Sequence, residues 1–510
     1  MKITKVETIW IDEFWQMCWV RVHTDSGEIG LGETWYLPRS VAAVVHEIFG
    51  PTLIGRDPMD REGIWDELFK LTGIFTYSGA ELRALSAIDI ALWDVVGQAL
   101  GEPIYNLLGG KSRDKIRIYN TIGSYGDWQD NEFEQRDPVG FLQSLIDDGI
   151  TAVKAYYMAP YAAESGGNFV SAKQIKEGLA PLAKQRKALG GQIEIAHDGG
   201  GQWALAPAIR ITKAMDEYDL MWQEEMIHPV NVETHLKLAG ETTAPICAAE
   251  RLMTRFEFRE YIERGAAEIV MPDLIWTGGI TETKKIATMA DTYQTPIAPH
   301  DWTGPVNVFA CAHISMNCPN VMIQETNRAY YRGWYDRFIE PNIVIKDGYL
   351  LAPEGPGLGT RLRADVFDRS DVHVEETTEA AVWGPVGFID PGQKVIANKP
   401  VTLIEACWDN SGETRVKIEQ EQSFDGNSRC NELYPAYPTP RIAAGATLAN
   451  DVVSCQLRPI NPADYSVRFT SDQSAELEAV FPQGVCNWSL GDASKARHQG
   501  AWISFGPSPV

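Results

Sequence analysis

Ile193-Glu-Ile-Ala-His-Asp198, Leu220-Met-Trp-Gln-Glu224 and Pro245-Ile-Cys-Ala-Ala-Glu250 are three short apolar runs, each closed by a carboxylate. Asp198 and Glu224 are 26 residues apart, and so are Glu224 and Glu250. A strand of about 4–8 residues with its following helix takes about 30 residues in a parallel barrel. The step is therefore one β/α unit, and it returns to the same end of the next strand. Three carboxylates at neighbouring strand ends converge on one point. So placed they repel unless protonated or bridged by a cation, and oxygen ligands suit Mg²⁺.

The step continues on both sides. Glu268-Ile-Val-Met-Pro-Asp273 ends 23 residues further on, Pro296-Ile-Ala-Pro-His300 27 after that, and Val321-Met-Ile-Gln-Glu325 another 25. Upstream, Ile150-Thr-Ala-Val-Lys-Ala-Tyr156 ends a strand on Lys154 and Tyr156. Residues i and i+2 share one face of a strand, so both side chains point inward. Taken singly each residue has an ordinary explanation, since an Asp after a strand often caps the next helix. The shared spacing over six strand ends favours an active site at the C-terminal mouth of a barrel.

These residues carry a resemblance to the enolase superfamily, in its mandelate racemase and muconate lactonizing enzyme branch. It covers about residues 1–378. Gly27-Glu-Ile-Gly-Leu-Gly-Glu33, Ala84-Leu-Ser-Ala-Ile-Asp-Ile-Ala-Leu-Trp-Asp94, Leu107-Leu-Gly-Gly110 and Gly355-Pro-Gly-Leu-Gly359 match alongside the Asp/Glu/Glu set. The resemblance implies Mg²⁺ on Asp198, Glu224 and Glu250, and a catalytic dyad of Asp273 and His300. There are two departures. The family's usual Lys-x-Lys is Lys154-Ala-Tyr156, and Gly199-Gly-Gly201 follows the first ligand where relatives often place Asn or His.

The expected architecture is α/β: a (β/α)8-type TIM barrel over 116–355, an α+β capping domain over 1–115, and a segment over 356–378 that returns to the cap. The aromatic loops around Trp15 and Tyr36 are candidates to shape a substrate pocket, with ordinary core packing as the alternative. Gln202, beside Asp198, is a third candidate substrate contact. Glu225 points the other way from Glu224 on its strand and reads as support for the ligands. The chain has 510 residues and a formal charge of −24, which argues against nucleic acid or an anionic membrane as partner. No run of 18 apolar residues occurs, and the N-terminus lacks a signal peptide's apolar block. A cytoplasmic homo-oligomer acting on a small sugar acid is the expectation.

Residues 379–510 form a loop-rich, β-leaning extension holding four of the eight cysteines, Cys407, Cys430, Cys455 and Cys486. Clustered cysteines in such a segment suggest disulfides, which the cytosol disfavours; four buried thiols are the alternative. Cys430-Asn-Glu-Leu-Tyr-Pro435, Cys455-Gln-Leu-Arg-Pro459 and Phe481-Pro-Gln-Gly-Val-Cys486 resemble the end of a family of large secreted hydrolase-like proteins, without their catalytic portion. A structural or binding appendage and an accident of gene fusion both remain open.

The chemistry expected of the barrel is removal of the α-proton of a carboxylate, with Mg²⁺ absorbing the charge of the enediolate. His300 is the base and Asp273 orients it. Lys154 is placed beside the substrate carboxylate, and Glu325 hydrogen-bonds the same group. A racemase needs a second base on the opposite face, where Tyr156 stands. A phenol of pKa about 10 is a poor base unless Lys154 lowers it. This favours β-elimination of water, a sugar-acid dehydratase (a hydro-lyase) giving a 2-keto-3-deoxy acid. The alternatives are a racemase, epimerase or cycloisomerase of the same superfamily, and a non-catalytic sugar-acid or carbohydrate-binding protein.

Overall fold

The computed structural model describes residues 1–73 and 78–380 and, beyond them, the backbone of strands between 381 and 481. The chain divides into two compact units, Met1–Thr378 and Glu379–Val510.

The first unit begins with an antiparallel meander of Ile3–Ile11, Met17–Thr24 and Ile29–Trp35, and Val372–Thr377 adds a fourth strand on the outer side of Ile3–Ile11. The 21-residue helix Ala80–Leu100 lies on this sheet. The glycines of the Gly27–Glu33 motif explain the close approach. A Cβ on Gly30 would meet Ala91 O at 2.0 Å, and one on Gly32 would meet Ala87 O at 1.8 Å. The helix is apolar nearly all round because it is buried on both sides, between the sheet and barrel helices.

The barrel strands run in parallel order Lys115–Thr121, Ala152–Ala155, Glu194–Asp198, Gln223–Glu224, Ile246–Ala248 and Ile269–Val270. The seventh is reduced to isolated bridges, from Ile297 to Val270 and Val321 and from His300 to Asp273. Pro296 and Pro299 interrupt it, and proline donates nothing to a ladder. Gln324–Thr326 then pairs with Lys115–Thr121 and closes the ring. Tyr119, Ala152, Ala196, Trp222, Cys247, Ile269, Met271, Ala298 and Ile323 fill the centre, so this is a packed core and not a pore. Between the second and third barrel strands lie the helices Ala172–Gly178 and Ala180–Leu189. Pro181 restarts the second, as its missing N–H is tolerated only in a first turn.

Cys18, Cys247, Cys311 and Cys318 are buried free thiols. In the second unit Thr402–Trp408, Thr414–Lys417, Ile442–Ala444, Val452–Asn461, Asp464–Ser471 and Glu476–Phe481 form an antiparallel sheet. The pairing of Cys407, Cys430, Cys455 and Cys486 lies outside the described residues. Among the described residues no helix is long and apolar enough to cross a membrane.

Candidate active site

Six strand ends and the bridge before His300 bring Lys154, Asp198, Glu224, Glu250, Asp273, His300 and Glu325 together, all buried. Strand ends can hold such a cluster because its carboxylates find donors on their own or a neighbouring strand. Trp222 Nε1 donates to Glu224 Oε2 at 2.9 Å, the amide of Asp301 to Glu325 Oε2 at 2.7 Å, and the Thr121 hydroxyl to Glu325 Oε1. The glycine run after Asp198 is a tight turn: Gly200 and Gly201 have φ of 62° and 69°, and Asp198 Oδ1 accepts the Gly200 amide at 2.7 Å. Two other residues of the mouth, Glu225 and Ala249, also hold positive φ, 31° and 102°. Strained backbone of this kind gathers at functional sites.

Lys154 Nζ lies 2.5 Å from Glu224 Oε1, 2.9 Å from Glu325 Oε1 and 3.3 Å from Asp198 Oδ2, in the midst of the carboxylates. Burial alone would lower its pKa, but Glu224 and Glu325 outweigh that and hold it well above the usual ammonium range. Glu325 is the carboxylate the cations favour. Burial pushes it up, but Lys154, His300 and the Thr121 and Asp301 donors bring it down to about 2. Burial and the remaining carboxylates raise Glu224 well above its ordinary value, and raise Glu250 to about 7.

The cluster therefore holds more buried carboxylate than its two buried cations balance. Three oxygen donors at consecutive strand ends, short of positive charge, fit a hard divalent cation. Among the described residues no three acidic, His or Cys side chains stand ready-made around an ion. Without an ion the carboxylates pair with cations of the chain: Asp198 and Glu224 both meet Lys154 Nζ, while His300 Nε2 at 3.1 Å and Arg251 Nη1 at 2.9 Å meet Glu250.

His300 Nδ1 is 2.6 Å from Asp273 Oδ2. The other Asp273 oxygen accepts the amide of Ile275 at 2.9 Å and caps the short helix Leu274–Thr277. Helix capping and ring orientation are thus served by one carboxylate. Burial would lower the imidazole, yet Glu250, Glu325 and Asp273 together raise it to about 10. Tyr156 follows the strand that carries Lys154, and burial lifts its phenol well above its ordinary value against the opposing pull of Lys154.

A cavity of about 1250 Å³ opens over this floor, lined by Tyr156, Asp198, Glu250 and His300 together with Tyr36 and Gln202. Trp15 is not among its lining residues. It is 65% exposed in the turn between the first two cap strands, while its neighbour Phe14 stacks on Trp334 at 4.3 Å. Glu225 faces away from Glu224 and bonds Arg251, which also reaches Glu250. Arg83, Arg251 and Trp276 line the cavity as well. They were not singled out from sequence. Arg251 alone carried a signal, its position immediately after the carboxylate Glu250.

Residues 139–366 match the enolase C-terminal domain-like family, and residues 14–109 the N-terminal domain of mandelate racemase and muconate lactonizing enzyme. The chain belongs to this family. A protein named D-xylonate dehydratase from Haloferax volcanii is 30% identical over 377 residues, covering 73% of this chain and 90% of that protein. A D-galactonate dehydratase from Variovorax paradoxus is 34% identical over 373 residues, 71% of this chain and 92% of the relative. The crystal structure of an enolase of the mandelate racemase subgroup from Agrobacterium tumefaciens superimposes with a TM-score of 0.69 at 39% identity, over 74% of this chain and 99% of that one. Residues 374–497 match a tannase-like family of unknown function.

Proposed function

We propose that the protein dehydrates a sugar acid to a 2-keto-3-deoxy acid, with His300 as the base. The observation that carries this is the hydrogen-bonded pair of His300 and Asp273 over a carboxylate cluster, in a cavity also lined by the phenol of Tyr156, whose pKa burial raises. Relatives at 30% and 34% identity carry dehydratase names, which supports the same reading. Asp198, Glu224 and Glu250 would hold Mg²⁺, which neutralises the substrate carboxylate and the charge that develops on it.

The rest of the chemistry belongs to the chain's own groups. Asp273 fixes the ring through Nδ1, so Nε2 is the atom that takes the α-proton. Nε2 now faces Glu250 at 3.1 Å, and the ring must leave that pairing and lose the proton the surrounding carboxylates hold on it before it can serve as base. Lys154, held protonated, adds positive charge beneath the developing enediolate. Loss of the 3-hydroxyl needs a proton, which His300 can return after taking it from C2; Tyr156, as a neutral phenol, is the other donor facing the cavity. A racemase would need Tyr156 as phenolate, which its raised pKa opposes. The test is incubation of the purified protein with Mg²⁺ and a panel of five- and six-carbon sugar acids, reading 2-keto acid. Turnover of none of them, with Mg²⁺ bound, overturns the proposal.

A further inference from the structure

Arg83 stands in the first turn of the helix Ala80–Leu100, where the cap meets the barrel mouth, and it lines the cavity. A guanidinium offers five N–H donors. Among the described residues one of these is used, by Nη1 to Trp35 O at 2.9 Å. Asp273 is the acid that acts on it most, but its oxygens already serve His300 and the Ile275 amide. The group is instead held in place by aromatic faces, 4.6 Å above the Trp276 ring and 5.6 Å above that of Tyr36. Every other arginine or lysine named at this site, Lys154 and Arg251, is paired with carboxylates. Arg83 is thus a fixed, largely desolvated cation with spare donors, facing the space where a substrate sits.

Its place matches the far end of that substrate. Trp276 is 5.2 Å from the His300 ring and 4.6 Å from the guanidinium, which keeps the guanidinium within about 10 Å of the imidazole. In a six-carbon acid with C2 at His300, the terminal carbon lies four bonds on, about 5 Å away when extended. That span is short enough for a carboxylate there to meet Arg83, and a planar carboxylate takes two parallel N–H bonds from a guanidinium. A terminal CH₂OH takes one weaker bond and leaves the cation uncompensated. We infer that Arg83 reads the distal end of the substrate and selects sugar diacids over monoacids. This rests on the dehydratase reading only for which end reacts.

Binding and turnover separate the two. The full-length protein loaded with Mg²⁺ is titrated by calorimetry with D-galactonate and with the diacid in which its terminal CH₂OH is a carboxylate. The expected result is at least tenfold tighter binding of the diacid. In Arg83→Gln the diacid's affinity should fall at least tenfold more than the monoacid's. In Arg83→Lys, which keeps the charge but loses the fork, the differential loss should be intermediate, and this variant decides the matter if Arg83→Gln does not fold. Equal affinity for the two acids, binding of neither, or a parallel loss for both in the variants overturns the assignment. Selective diacid binding without 2-keto acid formation keeps Arg83's role and counts against the dehydratase reading instead.

Discussion

Asp273 and His300 are joined twice. Their backbones pair in a parallel bridge between the sixth and seventh strand positions, and their side chains meet at 2.6 Å between Oδ2 and Nδ1. The backbone pairing fixes the distance between the two Cα atoms, so the hydrogen bond does not depend on a mobile loop. A ring so held presents Nε2 to the mouth of the barrel in one orientation.

Asp273→Asn keeps the shape but removes the charge that fixes the tautomer. It should lower kcat while leaving KM for the sugar acid within a few-fold, because the dyad acts on the base and not on the bound carboxylate. A general base contributes about 10²–10⁴-fold, which bounds the loss. Steady-state kinetics check this, and a change confined to KM would contradict it.

Glu250→Gln removes the negative charge from a group that faces both the proposed ion and His300. Mg²⁺ affinity, measured by calorimetry, and activity should fall together. Chelator should abolish turnover by the wild-type protein, and Mg²⁺ should restore it. Full activity in chelator would remove the metal from the mechanism.

The cap carries its own pH dependence. Glu7 is buried, and burial alone would raise its carboxyl. Bonds from His23 and Lys5 and the charge of Arg21 bring it to about 2 from an ordinary 4.5. A folded pKa below the unfolded one stabilises above the unfolded value and loses that stabilisation as pH falls. The stability contributed by Glu7 should thus be full above pH 4.5 and fade toward pH 2. Glu7→Gln should cost about 1–3 kcal/mol near neutrality and little at pH 2. Melts of both proteins across this range check the sign.

Truncation after Thr378 should leave a folded, active protein. Val372–Thr377 completes the cap sheet on Ile3–Ile11, and no residue of the proposed site lies beyond it. Ending the chain at residue 371 should instead expose the edge of Ile3–Ile11 and lower the melting temperature. A soluble, folded 1–378 protein without activity would show that the extension contributes to the site or to the assembly.

The barrel was legible because a parallel strand and its helix consume a nearly constant length of chain. Any polar residue repeating at that step must return to the same rim. Asp198, Glu224, Glu250, Asp273, His300 and Glu325 all obey it. What spacing cannot carry is pairing. Spacing puts Lys154 at the mouth, and only coordinates show it paired with three carboxylates. Arg83 and Trp276 meet across 193 residues of sequence and two structural elements, and neither has a periodic signal. Trp15 drew attention as one of a run of aromatics, but the turn that carries it directs Phe14 inward and leaves Trp15 in solvent.

The stereochemistry of proton removal separates dehydratase from epimerase. His300 and Tyr156 line the same cavity from the ends of different strands. A phenol raised above its ordinary value by burial is not a base at neutral pH. In D₂O, therefore, the α-proton should exchange, or product form, from one C2 configuration only, followed by NMR of the recovered acid. His300→Asn should abolish both, by at least about 10²-fold. Tyr156→Phe should leave α-proton exchange in place while slowing loss of the 3-hydroxyl if the phenol is the acid of that step. Exchange of the opposite epimer that survives in His300→Asn would identify Tyr156 or Lys154 as a working second base. The 1,1-proton transfer of a racemase or epimerase would then replace dehydration.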